Sequence, residues 1–465
     1  MEDGPKSVFS QMSRPKKYLA TFGLIYCCFS LGIAGTFLNP TVLDFSHKLN
    51  EPVDRVSIVF TVVTAAFLFG ALFNGVASMY IPRPVNVVMV LSLLTIPLFT
   101  VPYVESLMML YVHAAIMGFG GGGFDTAQAA WIIDIWRHEA APYILSLHFA
   151  YSAGTLIPPL ILGPYLTEEE DRACNETTIT ISTSTSTELP YESKLQVPFT
   201  IGASIACICI IIQAFLYIFI FRQNKSASSN QSTKNGEKNE VEEVEMEESS
   251  KDPATATETA SSSDLKRTIM LVVLCCCVMG FYAGLELTTS QFIPTFSHFS
   301  KVCLSEKESA RIAFGLQMGF ASGRLLGILL VLKIAPHFIL AGNFLLLLIS
   351  NIILLVWAGS NVTWLWVGSV GIGLGMSTVY PSMYAYIEKY LFVTDRITSS
   401  IAVFGGLVCA IYPIVVGNSV EKNPEVMTYV NFLSLFMCGV AFLVLFYVTH
   451  VRASRIHKSG NEKMQ

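Results

Sequence analysis

The side chains most able to do chemistry in this chain are ionisable groups set inside long apolar stretches: Asp125, Asp134, His148, Glu286 and Arg324. In hydrocarbon such a group is costly unless it is paired or hydrated, so each is a functional candidate by default. Asp125 follows Gly118, Gly120, Gly121, Gly122 and Gly123, and glycines let neighbouring helices approach closely. Asp125 could accept from a solute hydroxyl, ligate a cation or carry a proton; a carboxylate paired to a neighbouring helix for packing is the competing reading. The glycine run is no phosphate cradle, because no Lys-Ser/Thr pair follows it and it lies within an apolar stretch. Gln128, a turn further on, joins Asp125 as a candidate. Asp134 lies about 13 Å along the same helix and faces away from Asp125. With Arg137 and His138 beside it, a helix-end ion pair is the plainer role for Asp134 and a gating contact the sharper one.

Glu286 stands in the run Phe281-Tyr282-Ala283-Gly284-Leu285-Glu286, with Ser290 and Gln291 following. Ser290 shares its helix face, and carboxylate, hydroxyl and amide together suit a polyol; structural pairing is the alternative. Arg324, in Ser322-Gly323-Arg324-Leu325, must meet a carboxylate, a carbonyl or water. It would hold one face of the protein closed, or serve as a structural salt bridge. His148, near Phe149, Tyr151 and Ser152, would face a cavity or be a hydrogen-bonded structural histidine. Trp131, Tyr282, Tyr380 and Tyr384 offer faces on which the C–H surface of a ring-shaped solute packs, unless they are packing residues or interfacial anchors. Asn39 completes the set of binding candidates. No supported Ser-His-Asp arrangement and no metal-ligand cluster is present, so the sequence does not read as an enzyme.

These residues need helices that cross a bilayer. The chain of 465 residues is 52% hydrophobic and only 14% charged, where a soluble protein carries about 25% charged residues; its mean hydropathy is +0.55. Twelve apolar stretches, at 18–40, 56–80, 85–104, 107–131, 141–163, 198–221, 268–293, 310–332, 338–358, 363–386, 398–417 and 427–450, each have roughly the 20 residues a transmembrane helix needs. They form two groups of six, which predicts an all-α membrane protein with twelve transmembrane helices. The first stretch is too long for a signal peptide and has no small-residue cleavage site after it, so it reads as a retained span. The expected division is a cytoplasmic tail at 1–17, a first six-helix half at 18–221 with an outer loop at 164–197, an acidic linker at 222–267, a second half at 268–450 and a cytoplasmic tail at 451–465. The linker, with Glu240, Glu242, Glu243, Glu245, Glu247 and Glu248, has the composition of a solvated, disordered segment. The net charge of -5 and the lack of basic patches argue against nucleic-acid binding.

Lys and Arg set the orientation. Lys16, Lys17, Arg83, Arg137, Arg222, Lys266, Lys333, Lys389 and Arg452 fall on the side of both termini, which predicts that both termini are cytoplasmic; Glu388 lies on that side as a second candidate gating charge. Asn175-Glu176-Thr177 then becomes an outer glycosylation sequon. Cys174 and Cys303 fall in outer connectors, where a disulfide could form, although two free cysteines is the simpler reading. The other nine cysteines lie within spans as small hydrophobes, and Cys275-Cys276-Cys277 lacks the spacing of a zinc site. The halves are faintly repetitive. A glycine run precedes an acid at Asp134 and again at Glu388, and Phe-Ser-His recurs at Phe45-Ser46-His47 and Phe296-Ser297-His298. Parallel repeats fit an architecture in which two halves rock about a site at mid-membrane.

At several of these positions the chain resembles the sodium-dependent glucose transporter 1 group of the major facilitator superfamily, relatives of bacterial fucose permease. Asn39-Pro40-Thr41-Val42-Leu43-Asp44 is similar to its Gly-Pro-Thr-x-x-Asp. Asp125-Thr126 with Asp134-Ile135-Trp136, Leu147-His148-Phe149, Tyr282-x-Gly284-x-Glu286 and Gly323-Arg324-Leu325 resemble further family motifs. The chain departs from the pattern at Ala129, where the family has Asn, at Asn39, where it has Gly, and at Met79-Tyr80, where it has an acidic and basic pair, although Arg83 remains. The resemblance implies alternating-access transport of a hexose such as glucose, with sodium as coupling ion and no other cofactor. The partners expected are membrane lipid and a small polar solute, in the plasma membrane by default. The rival readings are an uncoupled or proton-coupled facilitator of another small polar solute, and a solute sensor that does not transport.

Overall fold

The computed structural model describes residues 13–166, 193–218, 262–331, 333–391 and 395–451, which are helical with no strand among them. The N-terminal group comprises α1 (Arg14–Thr36), α2 (Val42–Leu49), α3 (Val53–Tyr80), α4 (Arg83–Thr100), α5 (Leu107–Trp136), α6 (Ala141–Thr155), α7 (Ile157–Leu162) and α8 (Gln196–Leu216). The C-terminal group comprises α9 (Ser262–Phe299), α10 (Glu306–Val331), α11 (Pro336–Ile353), α12 (Val362–Met376), α13 (Val379–Ile387), α14 (Asp395–Gly417) and α15 (Val426–Phe446). Eleven helical stretches among the described residues are long and apolar enough to cross a membrane. α10 takes the place of the predicted span 310–332; it carries Glu306, Lys307, Glu308, Arg311 and Arg324 and is not one of the eleven. Large apolar side chains such as Phe69, Phe338, Phe436 and Leu443 point outward, as a protein solvated by lipid requires.

Several boundaries differ from the sequence pattern for identifiable reasons. Hydropathy alone ends the first span at 40. Pro40 instead begins a 3-10 turn at Asn39–Thr41 that leads into α2. Asn50 stops α2 in the left-handed conformation at φ 51°, its N–H reaching His47 O and Ser46 O, which is the usual chemistry of a helix C-terminus. α9 likewise runs past 293 to Phe299 with Pro294 inside it, so both Phe-Ser-His runs are helical rather than connectors. The fifth span breaks at Leu156 before Pro158 and Pro159. The tenth breaks at Ser377–Thr378. Asn175, Cys174 and most of the acidic linker lie outside the described residues.

Glycine sets the closest approaches. α3 lies along α5, and a Cβ on Gly122 would meet Phe67 O at 1.9 Å, one on Gly118 would meet Val63 O at 2.3 Å, and one on Gly70 would meet Phe119 O at 2.0 Å. The C-terminal group repeats the device between α10 and α12, where a Cβ on Gly319 would meet Val370 O at 2.4 Å and one on Gly373 would meet Leu316 O at 2.1 Å.

The two groups of helices make several contacts from the end of the bundle that carries Asn50 inward. There Val53 N donates to Glu421 Oε1 at 2.8 Å, Asn39 Nδ2 to Ser290 O at 3.1 Å and Thr61 Oγ1 to Ala410 O at 3.0 Å. His47 Nδ1 lies 3.5 Å from Glu306 Oε1, and the rings of Phe60 and Phe292 are 5.4 Å apart. One of these acceptors exists because of proline, which has no N–H for the carbonyl four residues back: Pro294 leaves Ser290 O without its helical donor.

Gly122→Leu should destabilise the fold by about 3 kcal/mol or more through overpacking, whereas Gly75→Ala, whose Cβ meets nothing within 4 Å, should be neutral. Thermal unfolding of the detergent-purified variants checks this; equal midpoints would mean that α3 and α5 are not in backbone contact.

Candidate functional site

Arg324 ties the site together. It extends from α10, and its guanidinium meets oxygens from three other segments. Nη1 donates to His148 O at 2.7 Å and to Ser152 Oγ at 2.8 Å, both on α6. Nε donates to Ser377 O at 3.4 Å in the break between α12 and α13. Nη2 lies 3.8 Å from Glu286 Oε1 on α9. The group also sits 4.1 Å from the Phe320 ring centre and 5.9 Å from that of Tyr151, within cation–π range. Local sequence explains the acceptors. Pro381 has no N–H for the carbonyl four residues back, so Ser377 O is free for a side chain. His148 O already accepts from Ser152 Oγ at 3.0 Å, and a carbonyl has a second lone pair to offer.

Asp125 is held differently. Its Oδ1 accepts from Gln128 Nε2 at 3.0 Å, and Gln128 Oε1 accepts in turn from the Cys28 thiol on α1. Among the described residues no basic side chain pairs with it. Tyr151 and Tyr380 both lie close enough to Asp125 and Glu286 to interact electrostatically with each, so the two carboxylates share one region of the bundle interior. Asp125, Glu286, Tyr380 and Tyr384 are partly exposed and the His148 ring is exposed, although all five lie within the span of the bundle. The rings of Tyr380 and Tyr384 are 5.6 Å apart. Tyr282 donates to Met376 O at 2.5 Å and stands beside Glu286, and Trp131 is buried.

The other candidates lie apart from this cluster. Asn39 joins the two groups of helices through Ser290 O. Gln291 is buried, its Oε1 without a hydrogen-bond partner. Arg83 pairs with Asp134 and donates to Ala130 O at 3.3 Å, at the end of the bundle opposite Asn50. Glu388 is exposed at that same end. The reading of two free outer cysteines fails: Cys303 is disulfide-bonded, nine others are free, and Cys174, its expected partner, lies outside the described residues. Side-chain chemistry singles out the His148 ring, whereas the carbonyl makes the contact. It misses the Cys28 thiol, the Ser377 carbonyl and the bond from Thr155 Oγ1 to Gln317 Oε1 at 2.9 Å. The Ser-x-x-x-Pro spacing at Ser377 and Pro381 is the signal in the sequence that marks the freed carbonyl.

Comparison with known proteins supports the same architecture. The family model for the Major Facilitator Superfamily matches residues 23–413. The human sodium-dependent glucose transporter 1 is 23% identical over 432 residues, covering 90% of this chain and 77% of that protein. The zebrafish (Danio rerio) major facilitator superfamily domain-containing protein 4A is 21% identical, covering 94% and 88%. Among solved structures, the nucleoside transporter NupG superposes with a TM-score of 0.59 at 13% identity, covering 92% of this chain and 99% of that one. A bacterial homolog of the human lysosomal transporter Spinster, in an inward-facing and unoccupied conformation, gives 0.60 at 12% identity, covering 94% and 98%.

Arg324→Ala should cost at least about 3 kcal/mol, because it strands Glu286 and removes donors from three acceptors. Arg324→Lys should recover less than half of that, since an ammonium cannot reproduce the planar fork. Unfolding midpoints check this; a Lys variant as stable as the native protein would show that the fork geometry is irrelevant.

Proposed function

The chain belongs to the major facilitator superfamily, and from that premise we propose that it carries a hexose-like solute by alternating access, coupled to a monovalent cation bound at Asp125. The chain is a transporter of the superfamily, embedded in the membrane and moving a small solute, and not an enzyme. The names of its sodium-dependent glucose transporter relatives supply the solute class and sodium as the ion. The single observation that carries the site is the contrast between the two carboxylates. Glu286 has Arg324 as counter-ion, while Asp125 has only the Gln128 amide among the described residues. A carboxylate in a low-dielectric cavity with no basic partner takes up a cation or a proton. The solute's apolar ring face would rest against Tyr380 and Tyr384 and its hydroxyls would meet Asp125, Gln128 and the His148 ring.

The end bearing Arg83, Arg137, Lys333 and Lys389 is taken as cytoplasmic on the Lys and Arg rule. Both termini then lie in the cytoplasm, Asn175 becomes an outer glycosylation site, and the plasma membrane is the default address. In this orientation the contacts around Asn50 close the outer face, and Arg324 is a latch between α6 and α10 on the cytoplasmic side of the cavity. Cation and solute would each favour the state that binds the other, and that mutual preference couples the two fluxes.

In proteoliposomes, a sodium gradient should drive labelled glucose uptake. Asp125→Asn should abolish the gradient-driven component, and whatever solute exchange remains should no longer depend on sodium. Uptake that follows a pH gradient instead would make the ion a proton. Unchanged sodium-driven uptake in the variant would remove Asp125 from coupling.

A further inference from the structure

Around Arg324 stand two backbone carbonyls, a hydroxyl and a carboxylate: His148 O, Ser377 O, Ser152 Oγ and Glu286 Oε1. Uncharged and anionic oxygens gathered around one cationic group, with the Ser152 O–H turned onto His148 O so that its oxygen still offers a lone pair, are the ligand chemistry of a hard monovalent or divalent cation. Only one carboxylate is present, which suits a single positive charge. The unwound backbone at Ser377 adds a second parallel, since discontinuous membrane helices present freed carbonyls to cations. The cage is built from α6 of the N-terminal group and from α9 and the α12–α13 break of the C-terminal group, so it exists only while those elements are together.

We propose that this cage is a monovalent-cation site that Arg324 fills as a tethered cation, which leaves Asp125, of the two carboxylates Asp125 and Glu286, as the place for a free one. The inference rests on the reading of Asp125 as the coupling site, and it adds that Arg324 sets the number of cations per cycle at one. A guanidinium on a flexible stem from α10 satisfies Glu286 in every state. It also keeps solution cations out of a cage that would otherwise take them. When α6 moves away from α10, the bonds to His148 O and Ser152 Oγ break while Glu286 and Ser377 O stay on the arginine's own side. The charge therefore stays compensated as the halves part. Arg324 is a positioning and selectivity residue here, since it touches no solute in this scheme.

The test uses sodium itself on the purified full chain, with unfolding midpoints in sodium chloride compared with choline chloride at equal ionic strength. Asp125→Asn removes the first site and should abolish the specific sodium shift. Adding Arg324→Met, which keeps an apolar stem against Phe320, should create a new shift that grows with the logarithm of sodium concentration once the site fills. Adding Glu286→Gln as a third change should abolish it again. If the double variant responds to sodium no more than Asp125→Asn alone, the cage does not bind a free cation and the proposal is overturned. Should Arg324→Met fold in neither salt, Arg324→Gln, which keeps donors for His148 O and Ser152 Oγ, takes its place: a new Glu286-dependent shift supports the cage and no new shift overturns it. A full sodium shift persisting in Asp125→Asn alone would defeat the Asp125 reading; the cage is then still judged by whether removing Arg324 adds a further, Glu286-dependent shift.

Discussion

A guanidinium in the interior of a membrane bundle is tolerated only where acceptors surround it, and much of this structure follows from meeting that demand at Arg324. Its partners come from α6, α9 and the break after α12, so one side chain fixes how four segments sit about the cavity. The demand is met largely with backbone, because helices spend their carbonyls on their own N–H groups unless something frees one. Proline is what frees Ser377 O. The same device recurs at Pro294, where Asn39 takes the freed Ser290 carbonyl. Carbonyls freed by proline are thus one place where the two groups of helices find hydrogen bonds to share.

The two carboxylates of the cavity differ because their surroundings differ. Glu286 is compensated by a charge carried on the protein. Asp125 is held by an amide that a thiol orients, and a neutral donor does not cancel a charge. Close glycine packing of α3 on α5 leaves Asp125 on a helix that cannot shift easily, which gives the cavity a rigid wall. The matching glycine contacts of α10 on α12 do the same for Arg324. Rigid walls and a movable seam between them are what rocking of two halves needs.

The helical class, eleven of the twelve expected spans and the location of the ionisable groups are readable from hydropathy, since bilayer thickness dictates span length. Span ends are less readable, because Pro40 and Pro294 look like terminators, whereas Pro40 sits in a 3-10 turn that leads on into α2 and Pro294 within a continuing helix. The identities of Asp125, Glu286 and Arg324 stood out as charges in apolar runs. Their pairing did not, since nothing local ties residue 324 to 286 or to 148. Backbone acceptors are invisible to a reading of side-chain types, so His148 stands out for its ring and Ser377 not at all. Cys303 shows the limit from another side: a disulfide depends on geometry across loops that spacing cannot supply.

The central claim is that one carboxylate of the cavity is spent on Arg324 and the other is free for a transported ion. Static-head accumulation tests it most directly. Proteoliposomes with the membrane potential clamped at zero are given a tenfold sodium gradient, and the steady glucose ratio is measured. One free site predicts about tenfold accumulation, by linkage between the two gradients. About hundredfold accumulation would mean that two cations travel and Glu286 is not committed to Arg324, and no accumulation would mean that Asp125 carries no sodium at all.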